Sequence, residues 1–517
     1  MQVVPKMQSP LLTTPTQYDY DNPVVETNER ILQQWVDQLP LLNVAESIDA
    51  LFNAIKPLNE QNVHDKLRLR LLEIYRQPVL RIAQSFDAGS LRHLPISQEQ
   101  RQHIIDDIAF LILEMANGYK ILVKQGFLKD KQPGKDQNFL LSIYRAMEML
   151  SEAVIHSYQI YSSPSAFAFL EFHQLFQYAE RNRVADTHIK KTDNCIMHLY
   201  IQLMLLAIVD PYRMPEGEVR PAYDFLTHYT QICLLSVQPP LAEEDIGIFT
   251  VDLSSDNQPV PVSRNKVYKR DPDFRLLDVR PVLATLLQQV KKNNKENQAL
   301  SIEEKILSRV VPNLTAVQQR SEPRRKQRRK VNVAQGMHAV HFCLSGKLVR
   351  EELNNSDGIE VMSMDSDQEN VPNLAAWVVA NESQRGFLLY QPSEMDPELN
   401  IGDIVGIENE SRQDPDPSLA FNIAAVRWMR LQVDNQNQIG VEILSRHAKS
   451  ATLMQDNQSQ GFPCLYLTDH AQPRLLTPPL PWPDTLCLAF DGQRQTIMLN
   501  EQIGESPFYR IFMFRFV

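Results

Sequence analysis

The chain has 517 residues, 43% hydrophobic and 22% charged, which excludes a single small module and the disordered, collagen-like and disulfide-scaffold classes. With 52 Lys+Arg against 63 Asp+Glu the net charge is −11, so a chain-wide polyanion-binding surface is excluded and any basic segment has to be weighed locally. Five cysteines, Cys195, Cys233, Cys343, Cys464 and Cys487, lie far apart without a CxxC spacing, an odd set that fits reduced thiols in a cytoplasmic protein and no zinc knuckle.

Residues 1–28, with Pro5, Pro10 and Pro15 and no apolar run, are expected to form a disordered lead-in. From 29 to 238 apolar residues recur with helical period. Ile48, Leu51, Phe52 and Ile55 fall at i, i+3, i+4 and i+7, Asn43 and Glu46 stand in capping-box positions, and Pro57 is expected to close that helix. Ile104, Ile105, Ile108, Leu111, Ile112 and Met115 make a second stripe. Further helices are expected over 141–160, 166–180, 195–209 and 221–235, with Pro164 and Pro221 as punctuation. The stretch 195–209 is too short for the roughly 20 residues of a bilayer span, so no membrane span is expected. No repeat of 30–45 residues holds, which sets a solenoid aside, and Phe167, Phe169, Phe172, Phe176 and Tyr178 read as core.

Residues 239–320 read as a connector with a short strand over 246–253 and helices near 279–290 and 302–317. From 331 the pattern changes to period two, with strands expected over 337–344, 375–379, 386–390, 404–407, 421–430 and 439–444, enough for a closed barrel within 321–450. The acidic, unpatterned segment 351–370 reads as a solvated insertion. Strands over 485–490, 495–499 and 508–516 form a β extension within 451–517, packed on the barrel. The fold class is multidomain α + β: an all-helical N-terminal array, an antiparallel β-barrel and a C-terminal β extension.

Two features carry chemistry. The tract R-S-E-P-R-R-K-Q-R-R-K at 320–330 concentrates cations in an acidic chain and calls for an anionic partner. In N-E-S-Q-R-G at 381–386, Asn381 suits a base edge, Ser383 a phosphate oxygen, and Gly386 permits close backbone approach to a ligand. Arginine forks pair with phosphates or stack on purines, so the two together describe a site for a compact anionic nucleotide. His338 and His341, on an expected strand, point to opposite faces and suit no shared metal. No Walker loop, G-x-S-x-G elbow or H-E-x-x-H helix is present, and no catalytic constellation emerges.

With these motifs in order, the region from about 324 to 444 resembles the PilZ family, whose pattern is R-x-x-x-R in a loop ahead of a barrel bearing [DN]-x-S-x-x-G. I-G-D-I-V at 401–405, A-V-R-W at 425–428 and I-G-V-E-I-L at 439–444 match the family's later strands. Asp252, Ser254 and Asn257 imitate the second motif but put Asn where glycine is required. The resemblance implies binding of cyclic di-GMP, with R-x-x-x-R met by Arg325 and Arg329 or, one residue earlier, by Arg324 and Arg328. Asn381, Ser383 and Gly386 carry over directly. The 51 residues between Arg329 and Asn381 exceed the usual family spacing. The expected protein is a cytoplasmic bacterial second-messenger receptor, a binder and not an enzyme, with no metal and no cofactor besides its ligand. Its helical domain would engage an unidentified protein partner and switch when the arginine loop closes on ligand. The alternatives are a nucleic-acid-binding protein using 320–330, or a ligand-free scaffold with a degenerate barrel.

Overall fold

The computed structural model describes residues 10–20, 24–41, 43–92, 94–237, 246–262, 272–293, 310–312, 314–315, 325–345, 374–391, 399–409, 420–431, 436–454 and 461–517. Two units separate, Met1–Gln319 and Arg320–Val517. Arg324, the 351–370 insertion and most of the helix expected at 302–317 lie outside the described residues.

The first unit is built on helices α1 (Glu29–Asp37), α2 (Val44–Glu60), α3 (Asp65–Ser85), α4 (Ala88–Arg92), α5 (Gln98–Leu128), α6 (Gln137–Gln159), α7 (Ala168–Arg181), α8 (Ile196–Ile208) and α9 (Val219–Leu226). Asn43 caps α2, accepting from Glu46 N and donating to Glu46 Oε2, and Ser97 with Gln100 forms a capping box on α5. Central α6 is buried along most of its length, and Gly126 lets α5 meet it, since a Cβ there would lie 2.2 Å from the Phe139 ring. Pro57 does not close α2, which runs to Glu60. A proline removes only its own donor, and its carbonyl still accepts from Gln61 N at 3.0 Å. The aromatics of α7 are core as expected: Phe172 and Phe176 are fully buried and stack on Tyr200.

Two expectations change. The lead-in is not disordered throughout, because residues 10–20 are hydrogen-bonded across α7, α5 and the end of α2. The connector holds more than the one strand expected at 246–253. Strands β1 (Leu234–Ser236), β2 (Ile248–Asp252), β3 (Val260–Pro261) and β4 (Phe274–Asp278) form a sheet in the order β1-β4-β2-β3, followed by α10 (Arg280–Asn293). The sheet is locked to α7: Arg275 pairs with Glu180, and Asp256 caps the helix by accepting from Phe167 N and Leu170 N. His173 bridges Tyr200 Oη at 2.7 Å and the Asn257 carbonyl at 3.0 Å.

In the second unit, β5 (Arg325–Gln335), β6 (Ala375–Ser383), β7 (Gly386–Gln391), β8 (Ile404–Glu408), β9 (Phe421–Leu431) and β10 (Asn437–Ser445) close an antiparallel barrel in the order β10-β7-β6-β5-β8-β9. Cross-strand partners share a face, and the pairs Val331–Trp377, Val333–Ile407, Val379–Leu389 and Leu389–Ile439 trace its buried interior. The strand expected at 337–344 is instead helix α11 (Gly336–Ser345). Gly336 leaves β5 at φ +85°, and Ala339, Val340, Cys343 and Leu344 fall at helical spacing against the core. His338 and His341 are therefore one helical turn apart. His341 is buried, with Nε2 3.1 Å from the Ala451 carbonyl, and burial holds its pKa below the usual value.

The C-terminal extension is itself a closed barrel, β11 (Ala448–Met454), β12 (Gly461–Leu467), β13 (Arg474–Thr477), β14 (Thr485–Phe490), β15 (Gln493–Ser506) and β16 (Tyr509–Phe516), in the order β11-β12-β13-β16-β15-β14. One apolar cluster joins Ile404, Ile423 and Ala425 of the first barrel, Val340 of α11, and Leu465, Leu467, Leu476 and Ile511 of the second. The expectation of a helical array followed by antiparallel barrel structure is borne out, with a second barrel where a simple extension was expected.

Two measurements follow from this packing. Burial pushes His156 and His173 down to about 4 from an ordinary 6.5, so both are neutral in the folded state. As pH falls below 6.5 the unfolded chain takes up protons first, so the stability these residues contribute is lost between pH 6.5 and about 4. Urea melts followed by helical circular dichroism should lose about 1 kcal/mol per histidine between pH 7 and 5.5, and His173→Gln should flatten that slope. Ile423→Ala should cost about 2–4 kcal/mol, with Trp377 and Trp482, one in each barrel, reporting a single coincident transition.

Candidate functional site

The arginine tract does not form a loop ahead of the barrel, because Arg325 to Lys330 belong to its first strand. β5 lies directly beside β6, hydrogen-bonded to it, with Arg325 opposite Glu382, Lys326 opposite Asn381 and Arg329 opposite Val379. The two sequence motifs, 51 residues apart, are thus neighbours in one sheet. Two bulges modify the ladder. β5 carries an extra residue between Lys326 and Arg329, and β6 carries one between Val379 and Asn381. Arg328 falls in the first bulge and is exposed. Arg329 shares the inward row of Val331 and Val333, and its side chain is 18% exposed.

At this end of the barrel Arg329 Nη2 is 3.7 Å from Glu382 Oε2, while Arg325 stands opposite the same glutamate. The carboxylate inside N-E-S-Q-R-G therefore faces Arg329, on the strand position opposite Arg325. Asn381 and Ser383 are half-buried on the hairpin β6–β7, whose two-residue turn is Gln384-Arg385. Ser383 Oγ accepts from Arg385 N at 3.3 Å and sits 3.4 Å from the Gly386 carbonyl, so its hydroxyl holds the turn. Gly386 has a packing reason: a Cβ there would lie 2.1 Å from the Val441 carbonyl of β10. The close approach it permits in this structure is strand to strand.

The structure adds a residue that sequence reasoning missed. Arg446, exposed in the short link between the barrels, donates from Nη2 to the Gln384 carbonyl at 3.0 Å, while its own N–H donates to Asp469 Oδ2 at 2.8 Å. No spacing rule flags it, because it lies 62 residues beyond Gln384 and reaches the site only when β10 pairs with β7. Nearby, Arg427 pairs with Glu442 at 2.7 Å; burial lowers its pKa, but Tyr509 and Glu442 outweigh that and leave it raised. Trp428 is half-buried across Gly440, where a Cβ would meet its indole, so the wholly buried barrel tryptophan is Trp377. Gly402 takes φ +97° in the I-G-D-I-V turn, its N–H donating to Val426 O. Among the described residues no group of three or more His, Cys, Asp or Glu is placed to hold a metal, and no helix is long and apolar enough to cross a membrane.

A barrel whose first strand sets two arginines against an N-x-S-x-x-G hairpin defines the class of PilZ barrels. Comparison with known proteins agrees. Residues 30–240 match the N-terminal domain of the cyclic-di-GMP receptor FimW, and residues 248–370 and 349–450 match its middle PilZ domain. The cyclic-di-GMP receptor FimW of Pseudomonas aeruginosa is 22% identical over an alignment covering 98% of this chain and 94% of that protein. The chain belongs to the family of PilZ-domain cyclic di-GMP receptors.

Gly386→Ala should destabilise the unliganded protein by about 1–3 kcal/mol in a thermal melt, because the added carbon overlaps the β10 backbone. A loss of ligand affinity in that variant is then expected to follow the melt, not a lost contact.

Proposed function

We propose that this chain binds cyclic di-GMP at the Arg325–Arg329 end of the first barrel and acts as a receptor without a catalytic step. The observation that supports the reading is the pairing of β5 with β6, which brings the R-x-x-x-R strand beside the N-E-S-Q-R-G hairpin, with Arg325 opposite Glu382 and Arg329 Nη2 3.7 Å from its carboxylate. In the unliganded protein Glu382 serves as the anion beside Arg329. A ligand phosphate takes its place and gains bidentate, charge-assisted bonds that one carboxylate oxygen at 3.7 Å does not supply. Asn381 meets a guanine edge and Ser383 a phosphate oxygen. Arg446 exchanges a neutral carbonyl for a phosphate, which makes it a third cationic anchor. Arg325 and Arg329 are favoured over the Arg324 and Arg328 pair, since Arg328 lies in the bulge, away from Glu382. The helical unit is the output surface, biased by ligand occupancy toward a protein partner. The free thiols Cys195, Cys233 and Cys464, all buried, suit a cytoplasmic setting.

Isothermal titration with cyclic di-GMP tests the reading. Saturable binding is expected for the wild type. Arg325→Ala, Arg329→Ala and Arg446→Ala should each cost about 1.5–3 kcal/mol, roughly ten- to a hundredfold in Kd, and Ser383→Ala about 1 kcal/mol. Glu382→Gln should tighten binding by up to about fivefold, because it removes a competitor worth about 0–1 kcal/mol. The reading is lost if the wild type does not bind the dinucleotide. DNA or RNA binding with a salt slope near −0.9 per phosphate neutralised would then favour the basic tract as a nucleic-acid surface.

A further inference from the structure

The two barrels of the second unit share one connectivity. Numbered from its own first strand, each closes in the circuit 1-2-3-6-5-4, with β5 to β10 in one and β11 to β16 in the other. The turn β12–β13 therefore holds in the second barrel the place that the turn β6–β7 holds in the first. Where the first hairpin reads N-E-S-Q-R-G, the second reads D-H-A-Q-P-R at 469–474, with Ala471 and Arg474 in the places of Ser383 and Gly386. Ala471 has no hydroxyl to donate, and Arg474 opens β13 with a full side chain where Gly386 opens β7 with none. The second hairpin is thus unsuited to the contacts proposed for the first.

What it holds instead is the link between the barrels. Asp469 Oδ2 accepts from Arg446 N at 2.8 Å, and Oδ1 lies within hydrogen-bond distance of the buried Ser445 hydroxyl. On either side, Thr468 N donates to the His447 carbonyl at 3.0 Å, and His470 Nε2 is 3.0 Å from the Leu444 carbonyl. Three consecutive residues of one turn grip the chain at Leu444, Ser445, Arg446 and His447. From this fixed backbone the exposed Arg446 side chain runs to the Gln384 carbonyl in the turn of the first hairpin. An arginine on a loose link would have its backbone as well as its side chain to order when a ligand arrives, and the clamp removes the first cost in advance.

We propose that Asp469 is a positioning residue for the ligand of the first barrel, acting through Arg446 by holding its backbone where the guanidinium meets a phosphate. The second barrel then contributes to nucleotide affinity through the hairpin that is the counterpart of the one beside the ligand. The inference rests on the cyclic di-GMP reading of the first barrel. Its sign runs against simple electrostatics. A carboxylate beside a cationic site repels an anionic ligand, so removing its charge alone favours binding, whereas removing its hydrogen-bond acceptor disfavours it. By linkage, the ligand must strengthen the contact between Asp469 and the Arg446 N–H by the same factor that this contact adds to affinity.

Isothermal titration of the full chain with cyclic di-GMP provides the test. Asp469→Ala should weaken binding by about five- to tenfold, and in an Arg446→Ala background the same change should have no further effect. Asp469→Asn keeps an oxygen for the Arg446 N–H and offers its amide to the Ser445 hydroxyl, so it should recover the affinity that Asp469→Ala loses. An unaltered affinity in Asp469→Ala, an equal loss in both backgrounds, or an equal loss in Asp469→Asn overturns the inference and leaves the ligand reading standing. A wild type that does not bind the dinucleotide ends both. Hydrogen exchange on the wild type decides the matter should Asp469→Ala fail to fold. Saturating cyclic di-GMP should slow exchange of the Arg446 amide by about five- to tenfold, and an unchanged rate overturns the inference.

Discussion

The ladder between β5 and β6 is the constraint on which the rest of the second unit depends. Its hydrogen bonds are made by peptide groups, indifferent to side chain, and this is how five cations in six residues are held side by side in a folded strand. Backbone pairing absorbs the order, while the long stems of Arg325, Lys326, Arg328 and Lys330 carry their charges out to water. Arg329 is the exception. It follows the inward row that ends in Val331 and Val333, so its cation is brought to the barrel's end and has to be answered there. Glu382 answers it from the neighbouring strand.

That arrangement gives the site a resting state with its own internal anion. A cluster of arginines left to itself pays like-charge repulsion, and a carboxylate within the same hairpin relieves it at modest cost because it stays partly hydrated. In the proposed reading, ligand binding is a contest between one carboxylate and a ligand with two phosphates. Arg446 extends the contest beyond the first barrel. Its side chain touches the hairpin turn and its peptide N–H is held by Asp469, so the same residue belongs to both barrels. Only Arg446 and His447 separate β10 from β11, and the apolar cluster around Val340 and Leu467 is continuous across that link. The second barrel is therefore part of the frame that supports the site.

Much of this was legible in the sequence where periodicity is strong. Stripes such as Ile108, Leu111, Ile112 and Met115, and alternating runs such as the one at 421–430, specify their elements locally, and N-E-S-Q-R-G marks a hairpin through its turn residues. The helix α11 was read as a strand because Val340 and Leu344 also fit period two. What decides it is Gly336 at positive φ, together with a core that includes residues beyond 448. Helix α3 is hard to read from sequence because its arginines and the internal Pro78 break the apolar pattern, while its caps and its neighbour α5 sustain it. The second barrel is only half legible, since β11 and β13 find partners, β14 and β16, late in the chain. For the proposed site, the motifs point to Arg325, Arg329, Asn381 and Ser383. The intervening Glu382 and the distant Arg446 became visible only with strand register, which no local pattern encodes.

The spacing between the two halves of the site has a consequence of its own. The strands β5 and β6 are joined through α11 and a connection that leaves 51 residues between Arg329 and Asn381. The entropic cost of closing a loop rises only with the logarithm of its length, so each doubling costs about 0.6 kcal/mol. Evolution can therefore lengthen this connection almost without thermodynamic notice, provided the register of the two strands is kept. Length at this position is close to a neutral character, whereas a single residue gained or lost at either bulge would turn Asn381 or Arg329 to the opposite face of the sheet.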